Sequence, residues 1–177
     1  IGRRPKRRAP FFSSMTISSS HNQKLKEIRK LSARRRERER SGMFVAEGED
    51  LLAAADAAGW RPVERFCAAG TGLPGIEVEP QLLADASGLG SGTRALAIYE
   101  ERWSEPAVGP VCVYLHGVQD PGNVGTILRS ALAFGASCVA FGPGSADPFS
   151  PKAVRASMGA VFEMALSRVN TIADLPG

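Results

Sequence analysis

Apolar and polar positions along the chain predict short strands separated by helices. Apolar residues at three- to four-residue spacing predict a helix, and continuous or alternating apolar runs predict a strand. The predicted helices cover residues 21–40, 49–59, 80–88, 123–135 and 151–158, and the predicted strands cover 43–48, 62–69, 76–78, 93–100, 111–118, 137–142 and 160–166. This alternation is typical of an α/β fold.

The segment ERWSEPAVGP, residues 101–110, is predicted to be a linker because it combines charge, proline and glycine. It separates a small α/β domain, predicted over 21–100, from a second α/β unit over 111–177. Residues 1–20 are predicted to be a disordered basic extension. We expect the true start at Met15 or upstream of it. Because the last residues stop where another unit would begin, we also expect the chain to be truncated.

Charge is distributed unevenly. Residues 1–40 hold 14 of the 22 basic residues and 3 of the 18 acidic ones, so this segment carries +11 and the remainder −7. A basic arm on a mildly acidic body indicates an anionic partner, most often nucleic acid. For residues 1–14, a solvated disordered tail is an equally acceptable interpretation.

The composition favours a cytoplasmic protein without membrane contact. No apolar run approaches the roughly 20 residues that span a bilayer, and no secretory signal is recognisable. The cysteines are far apart in apolar surroundings, which predicts buried free thiols in a reducing compartment: Cys67, Cys112 and Cys138. The two histidines lack neighbours that resemble ligands, so we expect no metal.

The stretch DPGNVGTILRSALAFG, residues 120–135, predicts a turn followed by an amphipathic helix with Asn123 as N-cap. A helical wheel places its large apolar residues on one face and Arg129 opposite, among small residues. We expect Arg129 to lean back toward Asn123, at the carboxyl end of a parallel strand where ligands bind in open α/β sheets. The alternative is a simple cap and a solvated surface arginine.

A second basic pair occurs at a predicted helix start, where Ser150 is the N-cap. Lys152 and Arg155 lie on one side of this helix, in the first turns, where the helix dipole disfavours cations. An approaching anion would explain them, and so would solubility or pairing with Asp147. No GxGxxG or GxxxxGK[ST] motif is present, which argues against a dinucleotide or P-loop site.

At these residues the chain resembles the SpoU/TrmH family of RNA 2′-O-ribose methyltransferases, within the SPOUT class. DPGNVGTILRSALAFGA (120–136) resembles the family's first motif, and DPFSPKAVRASMGAVFEM (147–164) resembles the segment that follows it. Upstream, residues 24–52 and SGTRALAIYE (91–100) resemble the ribosomal-protein-like RNA-binding domain that often precedes the methylase domain. The resemblance covers about residues 22–167.

The resemblance implies an enzyme that transfers a methyl group from S-adenosylmethionine to a ribose 2′-hydroxyl of ribosomal or transfer RNA. It implies that Arg129 activates the hydroxyl and that Asn123 organises the pocket. It also implies that further basic residues bind the RNA backbone: Lys152, Arg155, Arg34, Arg35 and Arg36.

Two later motifs of the family, a Gly-Asn-Glu strand-loop and an Ile-Pro…Ser-Leu-Asn segment, do not precede Gly177. They form the trefoil knot, most of the S-adenosylmethionine pocket and much of the dimer interface. The resemblance therefore implies the N-terminal part of an α/β-knot methyltransferase domain, without the knot. It places cofactor-binding residues beyond Gly177 and a homodimer in the full-length parent.

Two other functions stay open. One is a non-catalytic RNA-binding protein built from the same two domains. The other is a small-molecule α/β enzyme that uses Arg129 as an oxyanion clamp, against which the basic first domain argues.

Overall fold

A computed structural model describes residues 16–88, 92–105, 107 and 109–175. Most of the predicted basic extension, residues 1–15, lies outside the described residues. Residues 16–20 of this extension are described, and Ile17 forms a parallel bridge to Val78 at the edge of the first sheet.

The first sheet has four strands: β1 (Met43–Glu47), β2 (Glu64–Ala68), β3 (Ile76–Val78) and β4 (Ala95–Glu100). Their order is β1-β4-β2-β3; β4 is antiparallel to both of its neighbours, and β3 is parallel to β2. Four helices belong to this half: α1 (Gln23–Ala33), α2 (Arg35–Ser41), α3 (Glu49–Ala57) and α4 (Pro80–Ala86).

The second sheet has three parallel strands in the order β5-β6-β7: β5 (Cys112–Leu115), β6 (Cys138–Phe141) and β7 (Ala165–Arg168). The accompanying helices are α5 (Pro121–Ala133), α6 (Pro151–Ala156) and α7 (Ala160–Glu163), and a 3₁₀ turn follows at Ile172–Asp174. The α/β fold predicted from the sequence is therefore confirmed.

Side chains of the first sheet alternate between two cores, as the two-residue period of a strand requires. One face packs against α1 and α4 and includes Val45, Phe66 and Ile98. The opposite face, with Phe44 and Tyr99, joins a core that continues into the second half of the molecule.

Aromatic side chains connect the two halves. Phe44 lies 4.7 Å from Phe149 and Tyr99 lies 5.4 Å from Phe162, measured between ring centroids. The Trp60 indole donates a hydrogen bond of 2.7 Å to the buried carbonyl of Phe162. The two sheets consequently share one hydrophobic core.

The described part of the predicted linker packs on the second sheet. The Trp103 ring meets Phe149 edge-on at 5.2 Å, and its indole donates to the Glu101 carboxyl. The Ser104 N–H donates to the carbonyl of Leu166, and Ala107 is buried. Burial raises the pKa of the Glu101 carboxyl, although the hydrogen bond from Trp103 opposes this shift.

Several local predictions are wrong, three of which concern the first helices, the last strand and the cysteines. The helix predicted over 21–40 is two helices, because Arg34 adopts an extended conformation between α1 and α2. The strand predicted over 160–166 begins at Ala165, since residues 160–163 form the short helix α7. An apolar run of this length does not distinguish a buried strand from a buried helical turn.

The third wrong prediction concerns the cysteines. Cys112 and Cys138 occupy paired positions on β5 and β6 and form a disulfide, whereas Cys67 is a buried free thiol. Strand register brings together two residues that are 26 positions apart. The spacing of the cysteines in the sequence does not predict that register.

Candidate functional site

Helix α5 begins one turn earlier than predicted. Its N-cap is Asp120, whose carboxyl accepts a 3.1 Å hydrogen bond from the Asn123 N–H, and Pro121 occupies the first helical position. The prediction of Asn123 as N-cap is therefore wrong. Asp at the N-cap followed by Pro at N1 is a favourable helix start, because the side chain satisfies a free N–H and proline has none to lose.

Asn123 and Arg129 flank the exposed face of α5. Between them on the helical wheel lie small or short side chains that are likewise exposed: Thr126, Ser130 and Ala133. The opposite face is buried through Val124, Leu128 and Ala131. Phe134, which the wheel placed in the apolar arc, is 90% exposed because the helix has ended before it.

Arg129 has no ion-pair or hydrogen-bond partner among the residues that the structure describes, and its side chain is exposed. Six residues separate it from Asn123, which corresponds to about 9 Å along the helix axis. The two side chains border the same open face without touching each other. A ligand that spans this distance could therefore contact both.

Lys152 approaches the start of α5 from α6. Its ammonium group lies 2.9 Å from the Asp120 carboxyl, and its side chain passes directly over Gly122. This hydrogen bond, with the one from the Asn123 N–H, holds the pKa of the Asp120 carboxyl below its usual value. Gly122 and Arg129 lie on the same edge of α5, so Lys152 and Arg129 border one surface.

Gly125 makes this arrangement possible. A Cβ atom at this position would lie 2.3 Å from the carbonyl oxygen of Ala153 and 2.6 Å from the Cβ of Ala156, both on α6. The two helices thus pack backbone to backbone at Gly125. Gly125 is one of the small residues beside Arg129 on the helical wheel, yet it is buried against α6 and not exposed.

Arg155 lies on the side of α6 that faces the first sheet. Its guanidinium is 4.0 Å from the buried carboxyl of Glu47, at the end of β1. Asp147, offered as an alternative partner for Lys152 and Arg155, pairs with Arg38 instead. Neither basic residue of α6 pairs with it in the structure.

Three of the four arginines predicted to contact RNA surround the break between α1 and α2. Arg34, Arg35 and Arg36 are all exposed. Arg35 forms an ion pair with Glu39 at 2.8 Å and donates to the Ser145 carbonyl at 3.4 Å, which places it beside the loop after β6. No contact joins these arginines to Arg129 or Asn123 within the described ranges.

Arg38 has a structural role that the sequence did not reveal. Only 5% of its side chain is exposed, and it forms a 2.7 Å ion pair with the equally buried Asp147. The guanidinium also donates to the Leu31 carbonyl, and Asp147 accepts the N–H of Phe149. Within the run RRRERER no signal separates a buried arginine from its exposed neighbours.

A cavity of about 350 Å³ lies at the carboxyl ends of β6 and β7. Trp103 and Phe141 form an apolar part of its wall, and the loop from Gly142 to Asp147 supplies main-chain groups. Within the described ranges, no three His, Cys, Asp or Glu side chains come together as a metal site. None of the helices that the structure describes is long and apolar enough to cross a membrane.

Two family models match the chain, one over the half with the first sheet and the other over the half with the second sheet. Residues 22–97 match the MRM3-like substrate binding domain, and residues 110–176 match the SpoU rRNA Methylase family. Together these two matches cover most of the sequence.

Individual proteins give a consistent result. The 23S rRNA (guanosine(2553)-2′-O)-methyltransferase RlmP of Bacillus subtilis is 32% identical over an alignment of 178 positions that covers 87% of this chain and 65% of that protein. Human mitochondrial rRNA methyltransferase 3 is 47% identical over 55 residues, 31% of this chain and 13% of the relative.

Among solved structures, the AdoMet-bound rRNA methyltransferase of Sinorhizobium meliloti superposes with a TM-score of 0.77 and 32% identity, covering 88% of this chain and 65% of that one. The chain thus spans less than two thirds of the length of these relatives. Because both parts of the sequence and the fold agree, the chain belongs to the SpoU rRNA methylase family.

Proposed function

We propose that this chain is the RNA-side part of an S-adenosylmethionine-dependent methyltransferase that modifies a ribose 2′-hydroxyl of ribosomal or transfer RNA. The observation that carries the proposal is Arg129: an exposed, unpaired guanidinium on a face of small residues, on the same edge of α5 as Lys152. The relatives named as rRNA methyltransferases support the reaction class.

A ribose hydroxyl is a poor nucleophile because its proton is hard to remove. An arginine guanidinium carries five N–H donors and no acceptor, so Arg129 is not the base. Instead, its guanidinium would stabilise the negative charge that develops on the 2′-oxygen and hold the neighbouring phosphate. The small residues around it leave room for the ribose.

Asn123 would organise the other edge of this pocket, since its exposed side-chain amide both donates and accepts hydrogen bonds. Lys152 would bind a phosphate at the start of α5, and Arg155 would contact the RNA from the side of α6 that faces the first sheet. Lys152 is already oriented by Asp120, so less side-chain freedom is lost when a phosphate approaches.

The exposed arginines at the break between α1 and α2 would dock RNA by phosphate contacts. These are Arg34, Arg35 and Arg36. Phosphate contacts release counterions, so binding should weaken steeply as salt is added. Replacing one such arginine by alanine should reduce the slope of log K against log salt by about one unit.

The described residues do not fit a complete site for the methyl donor. The cavity at the ends of β6 and β7 is lined by two carboxyls, and both already pair with arginines: Glu39 with Arg35, and Asp147 with Arg38. No acidic group there is free to bind the donor's ribose or amino group. We therefore assign no cofactor residue here, and we propose that segments outside the matched region hold the donor.

We also propose that the full-length parent is a cytoplasmic homodimer. Sedimentation of the parent protein tests its oligomeric state. A monomer at micromolar concentration would contradict the proposal.

Arg129→Ala in the protein at its full natural length tests the proposed role of this residue. Methyl transfer, measured as label incorporated into RNA, should be abolished, while RNA affinity at low salt should change little because the other basic residues remain. Arg61→Ala, an exposed arginine away from the site, is the control and should behave as the wild type.

Equal loss of binding and transfer in Arg129→Ala would show that this residue only docks RNA. A wild-type protein that binds RNA without transferring a methyl group would instead support the non-catalytic alternative. A wild type that binds no RNA at low salt would contradict both functions.

A further inference from the structure

Glu47 is a buried acidic residue that the proposed reaction does not use. Only 3% of its side chain is exposed. One carboxyl oxygen, Oε1, accepts a hydrogen bond from the Gly88 N–H, whereas Oε2 is buried and has no hydrogen-bond partner. The nearest cation, the Arg155 guanidinium, stops at 4.0 Å. A buried acceptor without a donor is costly, and it indicates that a donor can enter.

Glu47 lines a cavity of about 460 Å³ between the start of α3 and helix α6. This volume falls within the roughly 300–1,000 Å³ of small-molecule sites. Arg155 and Met158 form the α6 side of the cavity. Met158 has φ 51°, the only positive φ of a non-glycine residue in the described part of the chain, and is 64% exposed. Its flexible, polarisable side chain is therefore accessible to a ligand in the cavity.

The cavity requires a ligand with both donors and an acceptor. Glu47 needs N–H groups, and Arg155 can donate to a neighbouring oxygen. A phosphate alone does not suit it, because Glu49 and Asp50 also line the cavity and would repel the phosphate. A flat, uncharged group with N–H donors beside a carbonyl fits better, and Met158 would lie against its face.

Helix α6 connects this cavity to the α5 surface. Arg155 points into the cavity, and Lys152, one turn earlier, reaches Asp120 at the start of α5. Pro151, at the start of α6, also lies near Gly88, whose N–H donates to Glu47, since a Cβ added at Gly88 would lie 3.5 Å from Pro151. A base in the cavity and its backbone at Lys152 would thus belong to one short stretch of RNA.

We propose that the cavity formed by Glu47, Arg155 and Met158 binds an unpaired guanine of the RNA substrate. Glu47 accepts the N1–H and N2–H donors of the guanine edge, Arg155 donates to O6, and Met158 stacks on the ring. Unstacked RNA bases are commonly recognised through their edges and one face in this way. The inference rests on the proposed function for the identity of its ligand as RNA.

The test is methyl NMR of the chain labelled on its four methionines, titrated with GMP, IMP, AMP, CMP and UMP. The probes share one phosphate, so differences report the base. GMP should shift the Met158 signal and leave the buried Met164 signal in place. IMP, which lacks the N2 amino group, should bind about tenfold more weakly. The other three should show no saturable shift.

Glu47→Gln keeps the size of the side chain but puts an amide where the carboxyl oxygens accept, so GMP affinity should fall about tenfold or more. Glu163→Gln, an exposed acid on α7, is the matched control and should bind as the wild type. The Met164 signal shows whether Glu47→Gln folds. If it does not, Arg155→Gln replaces it, because Arg155 is partly exposed, and this variant should show the same loss of GMP affinity.

Equal shifts with all five nucleotides would overturn the proposal in favour of phosphate binding, and so would the absence of any Met158 shift. Unchanged GMP binding in both variants would overturn it as well. Selective GMP binding by a protein that transfers no methyl group would leave this inference standing while the proposed function fails.

Discussion

At the scale of single residues, glycine and other small residues determine the site as much as the charged side chains do. Gly125 lets α5 and α6 approach closely enough that Lys152 of one helix reaches Asp120 at the start of the other. The exposed small residues beside Arg129 then leave this guanidinium accessible. The basic surface therefore depends on a glycine that carries no chemistry.

Gly125→Ala should destabilise the protein even though alanine is the better helix former. The added Cβ would clash with main-chain and Cβ atoms of α6 at 2.3 and 2.6 Å, which must move apart. Overpacking of this kind costs about 1–3 kcal/mol, more than the roughly 1 kcal/mol that helix propensity returns. Urea unfolding measures the difference.

Ser130→Ala is the control on the same helix, because Ser130 is exposed. The urea midpoint of Ser130→Ala should equal that of the wild type or be slightly higher. A Gly125→Ala variant as stable as the wild type would show that α6 yields readily and that the packing at Gly125 does not fix the two helices.

At the scale of elements, one buried ion pair fixes where the basic helix lies. The chain breaks at Arg34, and α2 turns so that Arg38 reaches both the Leu31 carbonyl and Asp147 in the loop before α6. Asp147 in turn holds the Phe149 N–H. The exposed arginines of the break are thereby anchored to the half of the molecule that carries α5 and α6.

Arg38→Met should reduce the free energy of unfolding by about 3–5 kcal/mol, because it leaves the Asp147 carboxylate buried without its cationic partner. Thermal and denaturant unfolding measure this loss. The exposed Arg40, which pairs with Glu37 on the same helix, provides the control, and Arg40→Met should leave stability nearly unchanged.

The double variant Arg38→Met with Asp147→Leu should recover much of the stability, since the uncompensated charge is gone. A small effect of Arg38→Met alone would mean that water reaches Asp147, and that the pair does not anchor α2.

At the scale of the whole molecule, the shared core joins the two sheets into one folding unit. Phe44 of β1 contacts Phe149 and Phe162, and the indole of Trp60 is hydrogen-bonded to the second half. Trp103, from the segment between the sheets, is packed on the same core. Neither half can lose these contacts without exposing apolar surface of the other.

We therefore expect a single unfolding transition. Far-UV circular dichroism and the fluorescence of Trp60 and Trp103 should give the same guanidinium midpoint. Phe162→Ala should reduce the free energy of unfolding by about 3–5 kcal/mol. The guanidinium midpoints of both signals should therefore fall together. Two separated transitions would contradict the shared core and indicate independently folding halves.

Much of the fold could be predicted because its signals are local. Apolar runs located β1 to β6 closely, proline and serine located the start of α6, and glycine located the end of α3. The family resemblance rested on two continuous segments. Errors arose where a local pattern has two solutions, as for residues 160–163, or where a distant contact overrides it, as Arg38 does at the break before α2.

The α/β class, the order of most elements, the basic character of the first helices and the family follow from the sequence, because these depend on neighbours along the chain. Packing in three dimensions was needed to show that Asp120 caps α5, that Gly125 lies against α6, and that Arg38 is buried with Asp147. It alone brought Glu47 beside Arg155. Each of these depends on residues from separate elements, whose distance in space is set by packing and strand register and leaves no trace in local pattern.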